Sequence, residues 1–251
     1  MSEQRRKERI AGAFSASAGA YDAVADVQWM VSDRLAQRIA AAPPPAPARI
    51  LEIGCGTGFL SARLKELYPE AQLTLTDISA SMLERCRTRL GDGPLYRVLD
   101  GERPEELEGG FDLIASSLAV QWFVDLGDGL ARLSRLLAPN GRLVFATLGA
   151  KTFREWRQAH TALKLDCGTP TYPAPEELPW PPGLSHAVAD ELLLHPYADG
   201  ADFVRSLKAL GAGEPAPGHQ PLSPGAFRRL LASLSGEFSA TYHLLYGEIR
   251  A

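Results

Sequence analysis

"ILEIGCGTGFL", residues 50–60, is the stretch on which the fold turns. An apolar run ends in three glycines, Gly54, Gly56 and Gly58, and leads straight into a helical pattern. A strand, a glycine turn and a helix in that order put backbone N–H groups and a helix N-terminus beside a ligand, at a closeness where side chains obstruct. The dinucleotide fingerprint wants G-x-G-x-x-G, whereas the spacing here is G-x-G-x-G, with Phe59 in the place of the third glycine. That departure counts against NAD.

Two carboxylates follow the same logic outward. Glu52 lies inside the apolar strand, two residues before the turn, where an unpaired charge is costly and a cationic ligand group would compensate it, directly or through water. Asp77 ends a second apolar run, "QLTLTD" (72–77), roughly 20 residues past the turn, where an acid addresses a ribose diol. Asp100 ends a third, "PLYRVLD" (94–100), from which it reaches a base amino group. Each has a plainer use alone: a structural turn, a helix cap, the start of a loop. Together, at consecutive strand ends, they form the kind of crevice in which open α/β sheets bind ligands.

The rest of the chain keeps the alternation. Helices are expected over 58–68, 80–90 behind a Ser79 cap, and 128–141, closed by Pro139 and Asn140-Gly141; strands over 111–117 and 142–149. Before them, residues 21–41 read as a helix, with Val24, Val27, Met30 or Val31, Leu35 and Ile39 on one face, Asp22 as N-cap, and "PPPAP" (43–47) as a stiff stop. After residue 150 come a helix (151–164), a Pro/Gly-rich stretch (167–185), a strand (187–197), a helix (199–212), a loop (211–221), a helix (224–234) and a final strand (239–250). The expected architecture is a doubly wound, mostly parallel seven-stranded α/β sheet in a single domain, 1–251. Its parts are N-terminal helices and linker (1–48), a binding core (49–149), a cap insertion (150–187) and a C-terminal part completing the sheet (188–251).

Composition narrows the class. The net charge of −4 gives no field to attract nucleic acid. No apolar run is long enough to span a bilayer, and the first residues, MSEQRRKERI, carry no apolar signal core. Cys55, Cys86 and Cys167 are odd in number and the five histidines lack zinc spacing, so the expectation is a metal-free protein of the cytoplasm, monomer favoured.

The constellation of Glu52, the glycines, Asp77 and Asp100 resembles the class I S-adenosylmethionine-dependent methyltransferases, closely over residues 49–149. The resemblance implies that Gly54, Cys55, Gly56 and Gly58 approach the methionyl part and that Asp77 holds the ribose. Ile78 and Met82 then flank the adenine, with Asp100 and Gly101 at its amino group. Ser116 and Ser117 close the cofactor site, and Tyr21 folds over the methyl group from the N-terminal helices.

Four flanking stretches, "AFSASAGAYDAVADVQ" (13–28), "SSLAVQW" (116–122), "FVRSLKALGA" (203–212) and "TYHLLYG" (241–247), resemble the malonyl-[acyl-carrier protein] O-methyltransferase family. That likeness implies methyl esterification of a malonyl thioester's free carboxylate at the start of biotin synthesis, with an acyl carrier protein as partner. Such a carboxylate is already ionised at pH 7, so no general base is required; the task is positioning. Arg205 and Lys208, three apart on one predicted helix, are the candidate carboxylate anchors, and Tyr21 and Trp122 the walls of the transfer site. Arg228 and Arg229, with Arg154 and Arg157 behind, are candidates for a basic dock. His243 reads as a core histidine. A methyltransferase for a small acid or quinone-like molecule, a nicotinamide oxidoreductase and a non-enzymatic adenosylmethionine sensor are the other readings.

Overall fold

The computed structural model describes residues 3–42 and 47–251; the Pro-rich linker expectation falls mostly on 43–46, outside them. Seven strands, β1 (Arg49–Ile53), β2 (Gln72–Asp77), β3 (Leu95–Val98), β4 (Phe111–Ser117), β5 (Leu137–Leu148), β6 (Ser185–Tyr197) and β7 (Phe238–Arg250), form one sheet in the order β3-β2-β1-β4-β5-β7-β6. The first five are parallel and β7 runs antiparallel between β5 and β6. The order reverses between β1 and β4, the switch point at which such sheets open a crevice.

Among the described residues eight α-helices pack around it: α1 (Glu3–Ser17), α2 (Asp26–Ala41), α3 (Phe59–Leu67), α4 (Ala80–Leu90), α5 (Leu126–Ser134), α6 (Arg154–Ala162), α7 (Gly200–Ala209) and α8 (Pro224–Ser233). On one face, Val27, Val31, Leu35 and Ile39 of α2 join Ile50, Leu75 and Tyr242. On the other, Leu130 and Leu133 of α5 join Leu51, Ile114, Phe145 and Ile249. No helix among the described residues is long and apolar enough to cross a membrane.

Three local expectations are corrected. The first long helix divides: Tyr21–Ala23 is a single 3-10 turn and α2 begins at Asp26, so Asp22 caps nothing. Its carboxylate instead accepts from the Thr57 hydroxyl (2.6 Å) and pairs with Arg89, pinning the N-terminal segment onto the glycine turn. The fifth helix is displaced toward the N-terminus of its pattern: Asp125 caps it two residues ahead (Asp128 N to Asp125 Oδ1, 2.9 Å), and it ends at Ser134 because Leu137 already pairs with Phe111 in the sheet. Pro139 and Asn140, the latter at φ +64°, then sit where the β4–β5 register shifts, so they mark a bulge rather than a helix end. Ser79 is the α4 cap as its position implied, accepting from Met82 N at 3.2 Å.

Leu35 is fully buried between α2 and the sheet. Leu35→Ala is expected to cost about 3 kcal/mol, the order of a core leucine truncation, read as a shift in the denaturation midpoint at unchanged m-value.

Candidate active site

The glycine turn divides its labour between the protein and a ligand. Gly54, Gly56 and Gly58 all have positive φ (67°, 55° and 94°). A Cβ on Gly54 would meet the Ala119 side chain at 2.3 Å, and one on Gly58 would meet Cys86 and Leu90 at 2.9 Å, so both glycines serve internal packing, Gly54 while also lining the cavity. In front of Gly56 no atom of the described residues lies within 4 Å, and the residue lines a cavity at the switch point. That cavity is the cradle a side chain would fill.

Asp77 fixes the turn from below. Its Oδ2 accepts from Gly56 N (2.9 Å) and its Oδ1 from Ser79 N (2.8 Å), while burial pushes its carboxyl upward against those same backbone donors. Glu52 is buried in β1, and among the described residues its carboxylate has one hydrogen-bond partner, the Ser61 hydroxyl at 2.6 Å. Desolvation pushes its carboxyl well above the ordinary range, Ser61 pulling partly back. A carboxylate so buried and so thinly partnered, on the wall of a cavity, is suited to a cationic ligand group. The residues therefore fit adenosylmethionine: a sulfonium and ammonium for Glu52, ribose hydroxyls for Asp77, and an open path past Gly56.

Asp100 also lines the cavity, two residues beyond the end of β3. Its Oδ1 accepts from Lys7 Nζ (2.9 Å) and from Glu102 N (3.1 Å). Lys7, itself buried, bonds Glu102 at 2.5 Å as well. Cys55, Ile78, Met82, Gly101 and Ser117 line the same cavity; Gly101 is small because a Cβ there would strike Ile53 at 2.2 Å. Ser116 lies outside it: its hydroxyl is spent on the Ile53 carbonyl (2.9 Å). Gly58 does not line it either, being the N-cap position of α3.

The sequence reading missed the roof. Lys7, Ile10 and Phe14 of α1, spaced three and four apart, and Gln28 and Ser32 of α2 line the cofactor cavity. The i, i+3, i+7 pattern was present in the sequence; a buried lysine as part of it was not the expected stripe. Tyr21 lies among them, its phenol pushed upward by burial and by nearby Asp77 and Asp22.

Trp122 stands where three cavities meet. Phe14, Tyr21, Gln28, Leu118 and Trp122 are shared by the cofactor cavity and a narrower neck; Trp122, Phe153, Tyr172, Leu207 and Ala212 are shared by that neck and a wider vestibule. Lys208 lines the vestibule. Arg205 lines none of the three: it is exposed on the outside of α7, bonded to Asp202 at 3.2 Å, so its three-residue spacing from Lys208 does not bring the two together on one ligand. Arg157 is committed to the carbonyls of Thr152, Thr169 and Pro170, and Arg154 to Glu155. His243 is buried in β7 between Asp190 (2.9 Å) and Lys151 N (3.3 Å), as a core histidine.

A methyltransferase-domain family profile matches residues 51–143. Among solved structures, the plantazolicin methyltransferase BpumL in complex with SAH superposes with a TM-score of 0.56 at 15% identity, over 98% of this chain and 96% of that one. The Bacillus protein YcgJ does so at 0.54 and 14%, over 86% and 97%. These likenesses show the fold, that of the class I methyltransferases. Among curated proteins, the biotin biosynthesis bifunctional protein BioCD of Bordetella avium is 44% identical over 96% of this chain, which spans 52% of that longer protein. The malonyl-[acyl-carrier protein] O-methyltransferase of Magnetococcus marinus is 42% identical over 98% of this chain and 93% of its own length.

The buried Glu52 yields a two-sided expectation. Its raised folded-state pKa means that its contribution to stability is greatest at low pH and is lost as pH rises past the ordinary glutamate value of about 4.3. Glu52→Gln is therefore expected to raise the melting temperature of the ligand-free protein at pH 7–8 while weakening adenosylmethionine. In the unmodified protein affinity should fall as pH falls, because the carboxyl must lose its proton to meet the cation; calorimetry across pH reads all three. With near-full-length identity to the Magnetococcus protein, and with a cradle for adenosylmethionine opening into a second compartment, the chain belongs to the malonyl-[acyl-carrier protein] O-methyltransferase family.

Proposed function

We propose that the chain methylates the free carboxylate of a malonyl group held as a thioester on acyl carrier protein, the step that opens biotin synthesis. The observation carrying this reading is the neck between Tyr21, Gln28 and Trp122, which joins the cofactor cavity to a separate, wider vestibule walled mainly by aromatic side chains. Bound adenosylmethionine supplies a methyl cation equivalent to a carboxylate oxygen, its sulfur keeping the electron pair of the broken bond, so no proton moves.

The residues act by placement and by excluding water. Asp77 and Gly56 set the depth of the cofactor, and Glu52 holds its cationic end. Trp122, stacked edge-on against Phe14 at 5.6 Å, closes the transfer site from the substrate side. A cation and an anion that neutralise each other on the way to products react faster when taken out of water, which is what the walls of Phe14, Tyr21 and Trp122 do. We place the reaction in the cytoplasm, in keeping with three free cysteines.

Labelled adenosylmethionine is offered with malonyl-carrier protein, succinyl-carrier protein and free malonate. Base-labile label on the malonyl protein, well above the other two, is expected; preference for free malonate would sink the carrier assignment. Trp122→Ala should lower kcat by one to two orders of magnitude with cofactor affinity within about threefold, since its ring serves reactant placement.

A further inference from the structure

The three connected cavities have a charge pattern of their own. The vestibule is walled by Phe153, Trp156, Tyr172, Phe203, Leu207 and Phe227, with Lys208 exposed at its edge. Lys208 makes no ion pair among the described residues, unlike its neighbour Arg205. Arg228, which follows the lining residue Phe227 on α8, is likewise exposed and unpaired among them.

A second cation stands behind the inner end. Arg6 of α1 is not itself among the residues lining the three cavities, but it reaches the carbonyl of Trp122, which lines all three, through one long contact (3.4 Å), and its Nε is buried with no partner among the described residues. Its charge also acts on Tyr172, a wall shared by neck and vestibule. The other cations nearby are used up: Lys7 by Asp100 and Glu102, and Arg157 by three carbonyls. A buried guanidinium nitrogen without a partner is costly, and a ligand anion would relieve it.

A passage with Lys208 at its outer edge, Arg6 behind Trp122 at its inner end, and a largely aromatic wall whose one carboxylate, Glu214, is neutralised by Arg9, matches one kind of ligand: a long neutral arm bearing an anion at either tip. Resting on the function proposed above, we infer that vestibule and neck hold the malonyl-phosphopantetheine arm, its carboxylate at Arg6 by Trp122 and its phosphodiester at Lys208. The carboxylate then sits at the junction that Trp122 makes with the cofactor cavity, and Arg205 has no part in it. Guanidinium suits this inner role because it binds a carboxylate through two parallel hydrogen bonds. The outer phosphodiester, exposed to water, needs only a point charge.

The full chain loaded with adenosylhomocysteine is titrated with two detached arms, malonyl-phosphopantetheine and phosphopantetheine alone, and the same preparations are assayed for methyl transfer to malonyl-carrier protein. Arg6→Gln is expected to weaken the malonyl arm about tenfold or more and leave the bare arm within twofold. Lys208→Ala should weaken both alike, by up to about tenfold, and Arg205→Ala neither. Leu207→Trp, which fills the neck, and Val204→Trp, which fills the vestibule, should abolish arm binding while adenosylhomocysteine affinity and melting temperature hold. Full arm affinity in either tryptophan variant that keeps its cofactor affinity overturns the route. Equal losses of both arms in Arg6→Gln overturn its assignment to the carboxylate. Arm binding by an unmodified chain that transfers no methyl to malonyl-carrier protein refutes the reaction and leaves the route standing; transfer without arm binding does the reverse.

Discussion

The site hangs on a single buried carboxylate. Asp77 has almost no contact with water, so it must be satisfied from within, and both of its oxygens are: one by Gly56 N and the other by Ser79 N. Those two donors belong to different strand-to-helix turns, the one after β1 and the one after β2. The hydrogen bonds therefore lock two adjacent loops of the sheet into one rigid rim. Everything placed against that rim inherits its position: the open space before Gly56, Met82 at the start of α4, and the Tyr21 ring that lies near Asp77.

Two of the pocket's carboxylates, Asp77 and Glu52, differ in how far their burial is offset. Desolvation pushes both upward, but Asp77 has backbone donors that pull it back, whereas Glu52 has the Ser61 hydroxyl alone. On the function proposed above, the cofactor's positive end removes that cost, and part of its affinity is the relief of Glu52's burial.

The binding core was largely legible, because it is written in local signals: a glycine turn, strand-ending acids, a serine cap. Each of these acts within a few residues of itself. What sequence spacing could not supply was which way a surface helix faces. Arg205 and Lys208 look equivalent on a helical wheel, yet Asp202 captures the first and the vestibule borders the second. Asp22 was read as a cap from its position, and a partner 35 residues on, Thr57, decided otherwise. Most of all, the role of α1 depends on contacts across about a hundred residues, Lys7 with Asp100 and Arg6 with Trp122, which no local pattern encodes. Ser116 illustrates the converse case: a polar residue at a strand end whose hydroxyl simply completes a neighbouring strand's hydrogen bonding.

The helix α1 is fastened at both ends to different halves of the molecule. Lys7 is paired to the cofactor half through Asp100 and Glu102, and Arg9 and Ser17 are bonded to Glu214 and Leu210, in the segment that borders the vestibule. Withdrawing Lys7 alone would strand two carboxylates, so the helix leaves as one body or stays. Because Phe14 walls the cofactor cavity and the neck together, α1 is a wall common to the two spaces, and its placement sets the width of both.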